Sequence, residues 1–418
     1  MQYGLIGGAL GHSFSKEIHE QIASYTYDLM PLTESAFHTF MEKRDFKAIN
    51  VTIPYKKAVI PYLDEIEEAA EMIGAVNTIV NRNGKLIGYN TDYYGFAYMV
   101  KKYRVSMQNK KVLVIGNGGA SLAIQAVVKK AQPKELVIVD IARSKDAVDY
   151  EDVYHKHLDA EIVINTSPVG MYPKNDAAPI DLRLFHCCEA VLDVVYNPIT
   201  TKLCYTAKQL GLIHANGLEM LIAQAKYAVE HFLHQKIDDQ IIETIYQKLL
   251  RDKINIVLIG MPSAGKTTIG RLLAKQMQKP FVDMDERIVA QAGKSIPQIF
   301  AEHGERGFRA YETQIAMQLA KQENSVIACG GGIVKYDVNM EMLGQNSIVI
   351  YLERDPANLS SNDPTRPLSS SKEAVEKMYR ERLPLYLQYS DITVKNAEEP
   401  AVVAKNCVQQ IDAYIAKR

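Results

Sequence analysis

Residues 260–268 read Gly260-Met261-Pro262-Ser263-Ala264-Gly265-Lys266-Thr267-Thr268, the spacing of a loop that cradles a nucleoside triphosphate. The glycines let backbone N–H groups, those of Ser263, Ala264 and Thr268 among them, curl around phosphates. Lys266 reaches the β/γ-phosphates, and the Thr267 hydroxyl can hold Mg²⁺. A different nucleotide signature lies upstream, Gly116-Asn117-Gly118-Gly119-Ala120-Ser121, with Ser121 where a third glycine usually stands. The helix that it opens would receive a pyrophosphate on its N-terminus. Asp140, about 20 residues on, suits the ribose 2′-hydroxyl of NAD, whereas Arg143 suits the 2′-phosphate of NADP. The two residues argue for opposite cofactors.

Other clusters can bind or exchange protons. Ser13 and Ser15 put two hydroxyls on one side of an extended segment, suited to gripping a carboxylate. Asn50-Val51-Thr52-Ile53-Pro54-Tyr55-Lys56 ends a strand with a lysine just past a proline, and Asn77 and Asp92 stand beside glycines. In the second half, Asp283 and Asp285 read as alternate residues at a strand end, facing one side. One can serve a Mg²⁺ shell and the other a substrate hydroxyl. Arg309 and Glu312 are neighbours on one helix face; by itself that pair reads as a surface salt bridge. Gly330-Gly331-Gly332 caps another strand and lets backbone approach a ligand closely.

The elements that must position these residues alternate. Apolar runs such as Tyr3–Ile6, Ala48–Ile53, Val112–Ile115, Leu136–Val139, Ile162–Ile164, Val191–Val194, Ile256–Ile259, Val326–Ala328 and Ile348–Leu352 are separated by helical patterns. This is the signature of an α/β chain with parallel sheets. A seam falls near 247–253, after a long amphipathic segment with a break near 235–239. The expected organisation is a lobe at 1–103 completed by helices at 216–250, a dinucleotide lobe at 104–215, and a third domain at 254–418. Length supports several domains: 418 residues exceed one ordinary core. With 48 basic against 49 acidic residues the chain has no nucleic-acid or membrane surface to expect. Apolar stretches are strand-length, and residues 1–10 lack a basic leader. Five cysteines without C-x-x-C spacing imply neither a disulfide framework nor a zinc site. A cytoplasmic protein acting on small molecules, of open oligomeric state, is the expectation.

The first half resembles the shikimate dehydrogenase family from about residue 3 to 228. The matching segments are Gly11-His12-Ser13-Phe14-Ser15, Asn50 to Lys56, Gly74-Ala75-Val76-Asn77-Thr78, Asn90-Thr91-Asp92, Gly116 to Ser121, Asn165 to Met171, Asp193-Val194-Val195-Tyr196 and Gly217 to Gln224. The resemblance implies a two-lobed enzyme with a Rossmann-type nucleotide lobe. Ser13 and Ser15 would hold the substrate carboxylate, and Thr52, Asn77, Asp92 and Gln224 the ring hydroxyls. Tyr196 would approach from the nucleotide lobe. Reducing a cyclic ketone needs one proton for the developing alkoxide. Lys56 is the best donor in the lobe, and family precedent makes Asp92 its partner. The family favours NADP, although Asp140 keeps NAD open.

The second half is similar to shikimate kinase from residue 254 to about 410, a P-loop fold with a parallel sheet. The matches are the phosphate loop, Asp283-Met284-Asp285, Phe308-Arg309 with Glu312, the glycine triplet, Arg366-Pro367-Leu368, and Arg382-Leu383-Pro384-Leu385-Tyr386. By that resemblance Thr267 and Asp283 would position Mg²⁺ and Asp285 would take substrate hydroxyls. Arg309 and Arg382, beside Gly331 and Gly332, would bind the carboxylate. Lys266 and Arg366, the latter in a lid, would face the transferring phosphate of ATP. The lid region 356–371 lacks the further basic residue that the family often sets against adenine. Together the halves imply a bifunctional enzyme that makes shikimate from 3-dehydroshikimate and phosphorylates it. A metabolite-sensing regulator built from inactive domains, or a quinate-type dehydrogenase fused to a small-molecule kinase, are the alternatives.

Overall fold

The computed structural model describes residues 1–8, 10, 13–359 and 371–417, and the chain divides into units Met1–Tyr246 and Gln247–Arg418. The division falls inside the helix Gln240–Lys253. The long amphipathic segment before it does break. Helix Gly217–Leu233 stops at His234, which takes a left-handed φ of 52°, and a new helix starts at Gln240.

In the first unit a six-stranded sheet runs in the spatial order Asp28–Pro31, Tyr3–Gly7, Ala48–Val51, Thr78–Arg82, Lys85–Tyr89, Glu65–Ile66. It is not all-parallel, as the alternation of elements predicts. Thr78–Arg82 pairs antiparallel with Ala48–Val51 on one side and with Lys85–Tyr89 on the other. The physical reason is Asn83-Gly84, with φ of 55° and 90°. A two-residue turn with both φ positive matches the twist of a hairpin and returns the chain antiparallel. Ala48–Val51 is buried along its whole length, so its C-terminal end delivers Thr52 and Lys56 from the middle of the sheet.

The second sheet of this unit is parallel throughout, in the order Ile213–Ala215, Ala190–Asp193, Ile162–Asn165, Lys111–Ile115, Glu135–Val139. Its fully buried strand Lys111–Ile115 lies between strands reached by crossovers to either side. Open α/β sheets bind ligands where the strand order reverses, at the carboxyl ends. Asp193 is buried at the carboxyl end of Ala190–Asp193, where it accepts from Asn165 Nδ2 (2.9 Å), Val195 N (3.0 Å) and Thr201 Oγ1 (2.7 Å). Burial pushes its carboxyl up to about 7 against those bonds, and the network fixes the turn that carries Tyr196.

The second unit has one parallel sheet, ordered Phe281–Asp283, Val326–Ala328, Asn255–Ile259, Ser347–Glu353, Ile392–Lys395. Its core runs from Val257, Ile259, Ile327 and Val349 in the strands to Ile288, Ile315 and Leu319 in the covering helices, with Tyr351 and Tyr386 buried among them. Asn255–Ile259 is buried throughout and runs straight into the phosphate loop. Helix Ile296–Leu319 is interrupted at Gly304 (φ 64°, ψ −173°), which re-aims its second part. That second part carries Arg309 and Glu312. No helix among the described residues is long and apolar enough to cross a membrane.

Candidate active sites

In the first unit, Lys56 Nζ donates to Asp92 Oδ2 at 2.5 Å, with the two side chains only 13% and 11% exposed. Asp92 stands in the first turn of helix Thr91–Lys102. That helix lies close against Gly217–Leu233 because Gly95 is bare. A Cβ there would lie 2.7 Å from Met220 O and 2.9 Å from Gln224 Cβ. The close crossing brings Gln224 beside Thr91, whose hydroxyl bonds Gln224 Oε1 (3.4 Å).

Asn77 is nearly inaccessible, and its side-chain oxygen accepts from Thr78 Oγ1 (3.0 Å), Thr91 N (2.7 Å) and Thr91 Oγ1 (3.2 Å). A backbone N–H among the donors fixes the amide's orientation, leaving Nδ2 as its free-to-donate end. Thr91 is thus a site residue that motif reading passed over. Its only signal was its place between Asn90 and Asp92. Ser13 and Ser15 meet hydroxyl to hydroxyl at 3.0 Å, and Ser15 N donates to Ser13 Oγ (3.2 Å). Tyr196 packs its ring 5.4 Å from Phe14, and burial raises its phenol. Thr52 donates its N–H to Ile6 O at 2.9 Å and is partly exposed.

The dinucleotide turn leaves the strand Lys111–Ile115 at Gly116, which takes φ 102°. Gly118 has open space where a side chain would stand, and Gly119 and Ala120 begin the helix that it caps. Ser121, in the third-glycine place, is fully buried and donates to Gly116 O at 2.7 Å, so it braces the turn from beneath. A Cβ on Gly119 would lie 3.4 Å from Lys56 Cδ. The lysine of one lobe therefore touches the nucleotide turn of the other. Bare glycines, a helix N-terminus and this lysine suit a dinucleotide with its reactive end beside Lys56. Asp140 accepts from Ile141 N (2.7 Å), and Arg143 is paired with Asp149 and Asp152.

In the second unit, a cavity of about 650 Å³ joins the phosphate loop to Asp283, Asp285, Arg309, Glu312 and Arg382. The loop needs positive φ at Gly260 (146°), Ser263 (62°) and Gly265 (88°). Lys266 Nζ donates to Gly260 O (2.9 Å) and Met261 O (2.8 Å). Thr267 Oγ1 donates to Asp283 Oδ2 at 2.7 Å. A hydroxyl and a carboxylate side by side at the loop are hard oxygen donors of the kind Mg²⁺ takes, so these residues fit that ion.

Asp285 is not a strand residue, contrary to the alternation reading. The strand stops at Asp283, which caps the next helix by accepting from Asp285 N at 3.0 Å. Capping by Asp283, rather than strand pleat, turns both carboxylates toward one cavity. Nor is Arg309–Glu312 a surface pair. Arg309 is 4% and Glu312 1% exposed, with the guanidinium on the Glu312 carboxylate and also 3.0 Å from Glu305. Burial raises the Glu312 carboxyl, opposed by Arg309, and Glu312 Oε1 has no hydrogen-bond partner among the described residues.

The glycine triplet makes this packing possible. A Cβ on Gly332 would meet the Arg309 guanidinium at 2.3 Å, one on Gly330 Glu312 Oε1 at 2.8 Å, and one on Gly331 Pro262 at 2.7 Å. Arg382 Nη1 and Tyr386 Oη both donate to Gly331 O, at 2.8 and 2.6 Å. Arg366 lies outside the described residues. A second, polar cavity of about 410 Å³ borders the loop at Gly265 and Thr268 and is lined by Arg354, Asn358, Asn396 and Glu398. Arg354 Nε is buried without a partner among the described residues. Sequence reading looked for a base-side cation only within 356–371 and gave no place to Arg354, which follows the strand Ser347–Glu353.

Comparison with known proteins assigns both units. A shikimate dehydrogenase (NADP(+)) of Clostridium perfringens is 35% identical over 269 residues, covering 59% of this chain and 97% of that protein. The chain belongs to the shikimate dehydrogenase family. The family's substrate-binding domain matches residues 5–79, and the shikimate kinase family matches residues 262–412. The chain is thus a shikimate dehydrogenase fused to a shikimate kinase domain. Among solved structures, shikimate dehydrogenase 1 of Peptoclostridium difficile is 31% identical with a TM-score of 0.55, over 60% of this chain and 98% of that one. A chorismate mutase/shikimate 5-dehydrogenase fusion protein of Clostridium acetobutylicum is 34% identical with the same TM-score, over 59% and 96%.

Proposed function

We propose that the first unit reduces 3-dehydroshikimate to shikimate with NADPH and that the second transfers the γ-phosphoryl group of MgATP to a shikimate hydroxyl. The observation that carries the reading is Lys56, paired with Asp92 and in contact range of Gly119. It is a proton donor set where a substrate lobe meets a nucleotide turn.

Ser13 and Ser15 bind the substrate carboxylate, and Asn77, with its oxygen already claimed, donates from Nδ2 to a ring hydroxyl. Thr52, Gln224 and Tyr196 bound the ring. NADPH, held at the 116–121 turn, supplies the hydride. Lys56 delivers the proton to the carbonyl oxygen as it becomes a hydroxyl, and Asp92 keeps the ammonium aimed.

In the second unit Arg309 and Arg382 take the carboxylate in their planar forks, and Asp285 accepts the proton of the attacking hydroxyl. Lys266 exchanges its loop carbonyls for phosphate oxygens, while Thr267 and Asp283 hold Mg²⁺, which supplies neutralising charge. The nucleoside occupies the cavity bordered by Arg354 and Asn396. None of the five cysteines is in a disulfide, which suits a reducing cytoplasm. The test is one incubation of the full-length protein with 3-dehydroshikimate, MgATP and either NADPH or NADH, with products identified by mass. Shikimate phosphate supports both assignments; shikimate alone removes the kinase half, and no turnover removes the dehydrogenase half.

A further inference from the structure

The loop after the strand Glu135–Val139 offers one arginine to a cofactor's 2′-phosphate, and two carboxylates already hold it. Asp140 N donates to Val148 O and Ser144 N to Ala147 O, each at 2.9 Å, so the loop doubles back on itself. Arg143 is thereby carried to the first turn of the helix Tyr150–Lys156. Its Nε lies 3.5 Å from Asp149 Oδ2, and its Nη2 contacts Asp152 Oδ2.

The acids are the anchored partners. Asp149 caps the helix by accepting from Asp152 N at 2.9 Å, and Asp152 also accepts from Lys156 Nζ at 2.8 Å. The Asp152 side chain is 10% exposed, against 59% for Arg143. A 2′-phosphate must therefore take Arg143 from a fixed, nearly buried carboxylate. It must do so beside Asp140, whose charge repels it. A 2′-hydroxyl meets neither obstacle, because it can donate to Asp140 and leave Arg143 where it is.

On the reading of the 116–121 turn as the cofactor site, we propose that Asp152 is a specificity-determining residue of the dehydrogenase. By competing with the 2′-phosphate for Arg143, it narrows the enzyme's preference for NADP over NAD. Removing its charge while keeping its shape frees both Arg143 and Lys156 for a phosphate and should leave NAD binding unchanged.

The test uses full-length wild type, Asp152→Asn, Asp152→Glu and Arg143→Ala. Calorimetry measures binding of adenosine 2′,5′-bisphosphate against adenosine 5′-monophosphate, and kcat/KM is measured with NADPH and NADH. Both readouts are ratios within one variant, so a partly unfolded preparation does not distort them. Asp152→Asn should raise the preference for the 2′-phosphorylated ligand about three- to tenfold, the scale of one partly screened ion pair. Asp152→Glu should keep the wild-type ratio, and Arg143→Ala should lower it. A ratio unchanged in Asp152→Asn while Arg143→Ala lowers it overturns the competition. A ratio unchanged in both overturns the placement of the 2′-phosphate at Arg143. Wild type that bound neither adenosine ligand would instead overturn the reading of the cofactor site itself.

Discussion

Lys56 and Lys266 each stand at the heart of one unit and are largely shielded from water, yet they are held in opposite ways. Lys56 faces a carboxylate at 2.5 Å; Lys266 faces two neutral carbonyls, Gly260 O and Met261 O. A lysine balanced by an acid is an oriented proton donor whose site gains no net charge from the pair. One that donates to backbone carbonyls can exchange them for the oxygens of an incoming polyanion. The dehydrogenase lysine is therefore aimed by a carboxylate before substrate arrives, and the kinase lysine rests on carbonyls that phosphate oxygens can replace. Two arginines of the second unit also differ in what they touch, since Arg309 pairs with Glu312 whereas Arg382 donates to Gly331 O.

The sharpest way to break this comparison is to exchange losses between the units. Lys56→Ala should lower reduction about 10²–10⁴-fold, the range for one positioned acid–base group. Phosphorylation of added shikimate should be untouched. Lys266→Ala should lower phosphorylation about 10²–10³-fold, as for loss of one transition-state charge contact. Reduction should be untouched. Steady-state rates of each reaction in both variants decide it, and loss of both activities from either substitution would overturn the separate assignments. Arg382→Ala is expected to raise KM for shikimate about 10–100-fold, the equivalent of one charged hydrogen-bonding partner. An equal rise in KM for ATP would mean that Arg382 serves the nucleotide instead.

A smaller difference concerns acid. His19 is fully buried in the first unit, stacked 4.0 Å from Tyr27, and burial lowers it from the ordinary 6.5 to about 3. The unfolded chain takes the proton first. This contribution is thus complete above pH 6.5 and is lost as pH falls toward 3, by about 1.4 kcal/mol per pH unit. The second unit has one histidine, His303, and it is exposed. Between pH 6.5 and 5 the urea midpoint for loss of reduction should fall faster than that for loss of phosphorylation. His19→Phe, which can keep the stack on Tyr27, should narrow the gap. Parallel midpoints in the wild type would sink the idea.

Much of the chemistry was legible in linear order because local geometry dictates it. The 260–268 and 116–121 turns need glycine where φ is positive or a ligand presses on backbone, and such needs are written in adjacent residues. The strand–helix alternation and the break near residue 235 were legible for the same reason, since periodicity and caps are local. The hairpin turn at Asn83-Gly84 was written there too, and reading the alternation as wholly parallel passed over it.

Other features are set by which distant segments meet. Whether Arg309–Glu312 is a weak surface pair or a buried one depends on Gly330–Gly332 packing over it. The partner of Lys56 comes from 36 residues away, and Gln224 reaches Thr91 only across a helix crossing that Gly95 permits. Arg354 reaches the cavity beside the phosphate loop through strand order, not proximity in sequence. Arg143 offers a free cation in the sequence and a contested one in the fold, because only the fold brings Asp152 to it. Sequence alone determined which groups the chain carries and where its backbone must turn. Tertiary structure decided their charge balance, because desolvation and pairing depend on neighbours that the linear order does not name.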